Sequence, residues 1–260
     1  FFVCWATVDV CIYLLAGLGH ERRPAREAAL WTFLMNGLGN LCLVLGLALL
    51  WTHTGSLAYG DVFDGAMLER LKQATMPGTS FPLASVIALL LLGGVAARSA
   101  QFPLHVWPVK VTEAPVPASM FIHALVAPLG VFLLARAHPL FEAAAPDLTL
   151  GSRLNIVTLL GIVTVVVTAL FALAQRDVRR ALSLSTVSQL GYAVAALGLG
   201  AFAAGVLHLT VTVVVSALLF LAAGSVTRGM ALAQQTGSSH APLDPHDMRQ
   251  MGGLRRRQKD

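Results

Sequence analysis

Apolar runs long enough to cross a bilayer recur along the whole chain, separated by short polar stretches. About twenty consecutive apolar residues span the hydrocarbon core. By that measure the pattern predicts seven spans, at roughly 1–19, 28–51, 83–102, 116–137, 153–175, 180–200 and 201–227. Between them lie His20–Glu27, Thr52–Pro82, Pro103–Pro115, His138–Ser152, a tight turn at Gln175–Arg180 and a glycine turn at Gly198 and Gly200. Residues 1–227 therefore read as a transmembrane domain of about seven helices, and 228–260 as a polar, basic tail. The third run is expected to break or kink at Gly93-Gly94 or at Arg98, and Pro103, Pro108, Pro115 and Pro117 exclude continuous helix beyond it. Interrupted backbone at membrane depth survives only inside protein or beside water. The expected fold is all-α, a polytopic transmembrane helical bundle with a discontinuous helix.

Composition agrees. Of 260 residues, 56% are hydrophobic and 12% charged, where an average soluble domain carries about 25% charged residues. Mean hydropathy is +0.73, so the lipid bilayer is the expected surrounding and no water-soluble domain is expected. The pI of 9.6 invites a nucleic-acid partner. The basic residues, however, sit in short loops and the tail, as membrane topology requires, and no nucleic acid is expected. Arg22, Arg23, Arg26, Lys110, Arg176, Arg179, Arg180, Arg228, Arg249, Arg255, Arg256, Arg257 and Lys259 fall on one side of this span plan. Arg70 and Lys72, with Arg136 and Arg153 flanking a loop, fall on the other. The excess of positive charge marks the first side as cytoplasmic. The N-terminal end of the segment is then outside, the tail is cytoplasmic, and the expected location is the cell inner (plasma) membrane. No initiator Met, basic flank or cleavage site precedes Phe1, which reads as an internal fragment, with a short native subunit as the alternative. Cys4, Cys11 and Cys42 lie in apolar runs without metal spacing and read as packing residues.

Two ionisable residues stand out within apolar runs. Arg98 closes the run Leu83–Ala97, and a guanidinium in hydrocarbon marks an ion pathway or a paired structural site. His123 follows in the next run; an unperturbed imidazole titrates near 6.5 and makes the best single proton carrier in the chain. No Walker loop, dinucleotide fingerprint, iron–sulfur cysteine spacing or HExxH zinc motif occurs. No cofactor, metal, redox centre or catalytic residue is therefore expected on this chain.

Three blocks carry a resemblance. The first is Arg98-Ser99-Ala100-Gln101-Phe102-Pro103-Leu104-His105-Val106-Trp107, leading to Glu113-Ala114-Pro115-Val116-Pro117-Ala118-Ser119 and Ile122-His123-Ala124. The second is Gln175-Arg176-Asp177-Val178-Arg179-Arg180-Ala181-Leu182-Ser183, then Ser185-Thr186-Val187-Ser188-Gln189-Leu190-Gly191-Tyr192. The third is His208-Leu209, Ala217-Leu218-Leu219-Phe220-Leu221-Ala222-Ala223-Gly224-Ser225-Val226 and Met251-Gly252-Gly253-Leu254. Together they resemble the antiporter-like subunits of respiratory complex I, in particular the large chain-5-type subunit related to Mrp-type cation/proton antiporters. The resemblance implies part of an antiporter-like inverted-repeat fold. It also implies a central row of ionisable groups that passes protons, and other membrane subunits as partners.

Carried over residue by residue, the resemblance shows departures. Where the family pattern has Glu after Trp5 this chain has Ala6, and Asp9, one helical turn on, is expected to supply the carboxylate; an inert Asp at the outer interface is the alternative. Arg98 stands where the family has Lys and, unlike Lys, cannot give up its proton; a snorkelling interfacial Arg is the alternative. Arg179 also replaces a Lys, as relay or as a loop anchor. His123 and His208 match family histidines and are expected as relays, against the reading of satisfied core residues. Thr212 stands where the family has His and Ser216 where it has a mid-membrane Lys, so charge-driven gating is lost there, although a wetted path survives.

The resulting expectation is a proton-translocating, antiporter-like membrane subunit of an NADH:quinone oxidoreductase, moving H+ or, alternatively, Na+. Three alternatives stay open: an Mrp-type sodium/proton antiporter subunit, a bicarbonate-uptake membrane subunit, and a structural remnant that no longer conducts.

Overall fold

The computed structural model describes residues 1–76, 78, 80–150, 154–236 and 244–251. Arg153, Gly252-Gly253-Leu254 and the basic run 255–259 lie outside the described residues. Helices α1 (Phe2–Ala16), α2 (Arg23–Thr54) and α5 (Leu83–Arg98) pack together on one side of the bundle. Short helices α3 (Tyr59–Val62) and α4 (Gly65–Gln73) lie in the loop between α2 and α5. After α5 the chain turns and continues as α6 (Val106–Val111) and α7 (Val116–Phe121), followed by a π-helical turn (Ile122–Val126) and α8 (Pro128–Arg136). Helix α9 (His138–Ala144) and a two-residue antiparallel strand pair, β1 (Thr149–Leu150) with β2 (Leu154–Asn155), lead into α10 (Ile156–Leu173), α11 (Val178–Gly198) and α12 (Phe202–Thr236). A single 3₁₀ turn follows at Met248–Gln250.

Local chemistry sets the helix ends. Pro24 occupies the first turn of α2, where no intrahelical N–H is needed, and Gly55 closes that helix in the left-handed region at φ 67°. The Asn155 side chain caps α10 by accepting from Val157 N, and Asp177 caps α11 by accepting from the N–H groups of Arg179 and Arg180. Helices α10 and α11 approach closely because Gly161 faces Gly191. A Cβ at Gly161 would lie 2.7 Å from the Gly191 carbonyl, so the small residues permit contact between backbones. Leu170, Leu173, Leu207 and Leu218 point outward and are exposed, the expected lipid-facing surface.

The apolar pattern located the long helices but drew several limits short or long. Helix α5 runs unbroken through Gly93-Gly94 and stops at Arg98. Helix α12 continues beyond 227 to Thr236, through a stretch of good helix formers that the hydropathy pattern counted as tail. The loops 52–82 and 138–152 contain α3, α4 and α9. Cys4 and Cys11 are exposed on the outer face of α1 rather than packed. Trp5 and Trp107, which the interface-belt pattern would place at the membrane surface, are buried, whereas Trp31 and Trp51 are exposed.

Candidate functional site

Asp9 on α1 and Arg98 at the end of α5 form a buried ion pair. Arg98 Nη2 lies 2.8 Å from Asp9 Oδ2, and the two residues are 1% and 5% exposed. The same guanidinium nitrogen donates to the Trp5 carbonyl at 3.2 Å, and the guanidinium stacks over the Trp5 ring at 4.3 Å. Asn40 on α2 completes the group: Trp5 Nε1 donates to Asn40 Oδ1 at 3.0 Å, and Asn40 Nδ2 donates to Asp9 Oδ2 at 2.7 Å. Asp9 Oδ1 and Arg98 Nε and Nη1 are buried with no hydrogen-bond partner among the described residues. Asp9 and Arg98 are thus both buried and paired with each other.

The break after Arg98 is held by specific donors. Ala100 takes a left-handed conformation at φ 53°, uncommon for a residue with a Cβ. Gln101 N bonds Ala96 O at 2.8 Å, Trp107 Nε1 bonds Ala97 O at 3.0 Å, and Phe102 N bonds Thr164 Oγ1 at 3.0 Å. Backbone groups freed by the break thus find partners within protein. Pro108, next to Trp107, then presents its carbonyl to His123.

His123 lies in the π-helical turn, one of the places where widened turns re-aim a side chain. The cause is local: Pro128 has no N–H to give, and the Ala127 N–H reaches back to Ile122 O at 3.0 Å instead. The buried imidazole has two carbonyl neighbours, Ser119 O at 2.7 Å from Nδ1 and Pro108 O at 3.0 Å from Nε2, with Ser183 Oγ at 2.8 Å from Nε2. With its proton on Nδ1 a neutral ring donates to Ser119 O and its Nε2 accepts from the Ser183 hydroxyl; with the proton on Nε2 it donates toward Pro108 O; an imidazolium donates to both sides. Phe220 stacks on the ring at 4.5 Å.

One turn before Phe220, Ser216 meets Thr186 across α11 and α12 at 3.3 Å. Beside this contact is a cavity of about 240 Å³ lined by Ser185, Thr186, Gln189, His208, Thr212 and Ser216. It has room for several waters at about 30 Å³ each. The His208 Nε2 atom is buried without a partner among the described residues, and the His208 ring lies edge-on to Tyr192 at 5.9 Å. Thr212 donates to the His208 carbonyl at 2.8 Å.

Arg179 does not join this row. Its guanidinium donates to Ala114 O at 3.4 Å and to His246 Nε2 at 3.0 Å, among the basic loops. There Glu113 pairs with Arg180 at 3.1 Å and its carbonyl accepts from Arg22 at 3.0 Å. Sequence reasoning passed over Asn40, Ser183, Phe220 and the role of Trp5. A signal for Asn40 exists, since Thr32, Asn36 and Asn40 recur every fourth residue along one face of an apolar helix. Ser183 opens the polar cluster that continues through Ser185 and Thr186.

The family described as NADH:quinone oxidoreductase/Mrp antiporter, TM, matches residues 1–258. The chain belongs to this family. Among relatives within it, the NAD(P)H-quinone oxidoreductase chain 5 of Synechocystis sp. is 39% identical over 256 residues, covering 98% of this chain and 36% of that protein. The chloroplastic NAD(P)H-quinone oxidoreductase subunit 5 of Chloranthus spicatus is 38% identical over 255 residues, covering 98% and 33%. This chain thus spans about a third of the length of these relatives. A solved archaeal respiratory membrane complex, the membrane-bound sulfane sulfur reductase, contains a chain of similar fold. Its TM-score is 0.75 at 22% identity, covering 87% of this chain and 36% of the other. The protein is accordingly a multi-pass helical membrane protein, with the fold class expected from its sequence.

Proposed function

We propose that this chain is the proton-translocating part of an antiporter-like membrane subunit in an NADH:quinone oxidoreductase-type complex. The buried Asp9–Arg98 pair beside a broken helix is the observation that carries this reading. Asp9 is the titratable member. Arg98 keeps its charge, holds the carboxylate in place and gives a passing proton an electrostatic partner that never itself deprotonates. From there the route follows the break to His123, which takes a proton at one ring nitrogen and releases one at the other, using Ser183 and the Pro108 carbonyl as partners. The hydroxyl-lined space by Ser216 and Thr212 extends the route to His208 through water, without a charge change of its own. Arg179 serves as an anchor at the basic end.

Electron chemistry belongs to partner subunits, and this chain responds to it electrostatically. The basic loops face the cytoplasm and the N-terminal end of the segment faces outward across the inner (plasma) membrane. H+ is the transported ion in this reading, because the row offers one carboxylate and two imidazoles, groups that take up and release a proton.

The test is proton uptake by inverted membrane vesicles carrying the protein. Asp9→Asn, which keeps the shape and removes titration, abolishes uptake; unchanged uptake refutes the reading. Flux that requires Na+ would move the assignment to an Mrp-type antiporter.

A further inference from the structure

The Asp9 carboxylate is held asymmetrically, and the cause is a residue on a third helix. An indole N–H only donates, so the bond from Trp5 Nε1 at 3.0 Å obliges Asn40 to present its oxygen to Trp5. The Asn40 NH2 group is thereby turned toward Asp9 and donates to Oδ2 at 2.7 Å. Arg98 Nη2 donates to the same oxygen at 2.8 Å. Asp9 Oδ2 thus carries two donors, while Oδ1, equally buried, has no partner among the described residues. The ring is closed, because Arg98 Nη2 also donates to the Trp5 backbone carbonyl at 3.2 Å.

We propose that Asn40 is a positioning residue. Clamped by the Trp5 indole, its amide joins Arg98 on Oδ2 and reserves Oδ1 of Asp9 as the atom that takes up and releases the proton. This rests on the reading of Asp9 as the titratable member of the pair. When a hydronium ion delivers its proton, an O–H bond forms at Oδ1 and one O–H bond of the hydronium breaks, leaving water. The carboxylate becomes neutral while the Arg98 charge stays. The two bonds to Oδ2 persist through the step, so the acid does not rotate and the proton always leaves from the side it entered or the side Oδ1 faces. Without the amide, either oxygen of Asp9 can be protonated, and part of the population holds its proton against Arg98, where it is unproductive.

Infrared difference spectroscopy of the protein in lipid vesicles, between acid and neutral conditions, reads the carboxyl group directly. The Asp9 band is the one erased by Asp9→Asn. Asn40→Leu is expected to shift and broaden this band as two protonation sites become populated. Proton uptake should fall about 10-fold, the change expected on losing one hydrogen bond to a charged group. Trp5→Phe keeps the backbone carbonyl contact to Arg98 but frees the amide to turn over; it should produce the same change of band to a smaller extent. Should Asn40→Leu fail to fold, Trp5→Phe carries the test alone. Asn36→Leu removes the preceding polar residue on the same face, whose side chain among the described residues bonds the Thr32 carbonyl, and should leave the Asp9 band in place. An Asp9 band unmoved by Asn40→Leu or by Trp5→Phe overturns the proposal. If instead uptake persists in Asp9→Asn, the transport reading fails, and the band shift still decides whether Asn40 positions the carboxylate.

Discussion

At the scale of single residues, the central feature is a permanent cation, Arg98, buried against the Asp9 carboxylate. Removing one member of a buried pair strands the other charge, which typically costs about 3–5 kcal/mol. Arg98→Leu alone should therefore destabilise the protein markedly, and Arg98→Leu with Asp9→Leu should recover most of the loss, as read from thermal unfolding in detergent. Equal destabilisation by the single and double substitutions would show that the pair is not what holds α1 to α5. Arg98→Lys should retain the pairing but lose the planar stacking on Trp5. Much of this group was legible beforehand: an Arg at the end of an apolar run, a carboxylate one turn from Trp5, and a His beside prolines all stand out in the sequence. Asn40 was not, because an Asn is unremarkable on a helix until its tertiary partners, 35 and 31 residues away in the chain, are known.

At the scale of elements, proline and histidine placement governs local geometry. The π-helical turn at Ile122–Val126 follows from Pro128, so Pro128→Ala should let the helix tighten to regular α geometry and turn His123 away from Ser183. Proton uptake should fall while the fold is retained; unchanged uptake would mean that the turn is incidental to the histidine. At the basic end, residues 244–251 dock on the turn before α11, with Val178 N bonded to His246 O at 3.1 Å and Met248 N to Arg176 O at 3.0 Å. Burial, and then the neighbouring Arg179, lower the His246 pKa from its usual 6.5, opposed by Asp177, Asp244 and Glu113. A histidine depressed in the docked state favours docking above its free value and weakens it as pH falls through 6.5 toward the lowered one. Hydrogen exchange of Val178 and Met248 should accordingly quicken on acidification below that value, and His246→Gln should remove the dependence. Exchange independent of pH would contradict it. The long helices were legible because an apolar run needs only length to be recognised. The π turn and the docked segment were not, since both depend on hydrogen bonds that hydropathy does not encode.

At the scale of the whole molecule, three layers of chemistry follow one another through the bundle: a charge pair between α1 and α5, an imidazole among carbonyls at the π turn, and a hydroxyl-lined cavity between α11 and α12. Chain neighbours connect them: Ala97 beside Arg98 accepts from Trp107, Pro108 beside Trp107 meets His123, and Phe220 on His123 lies one turn from Ser216. On the proposed route this continuity carries the proton past Thr212 and Ser216, whose hydroxyls keep no charge of their own. The polar positions of α11 and α12 were legible in the sequence, but the pocket they line became visible only with the helices assembled. A vesicle proton-uptake measurement on the double substitution His123→Ala with His208→Ala addresses this continuity without disturbing the Asp9–Arg98 pair. Loss of uptake with the protein still folded and inserted is the expected result; uptake at the rate of the unsubstituted protein would contradict proton relay along this row.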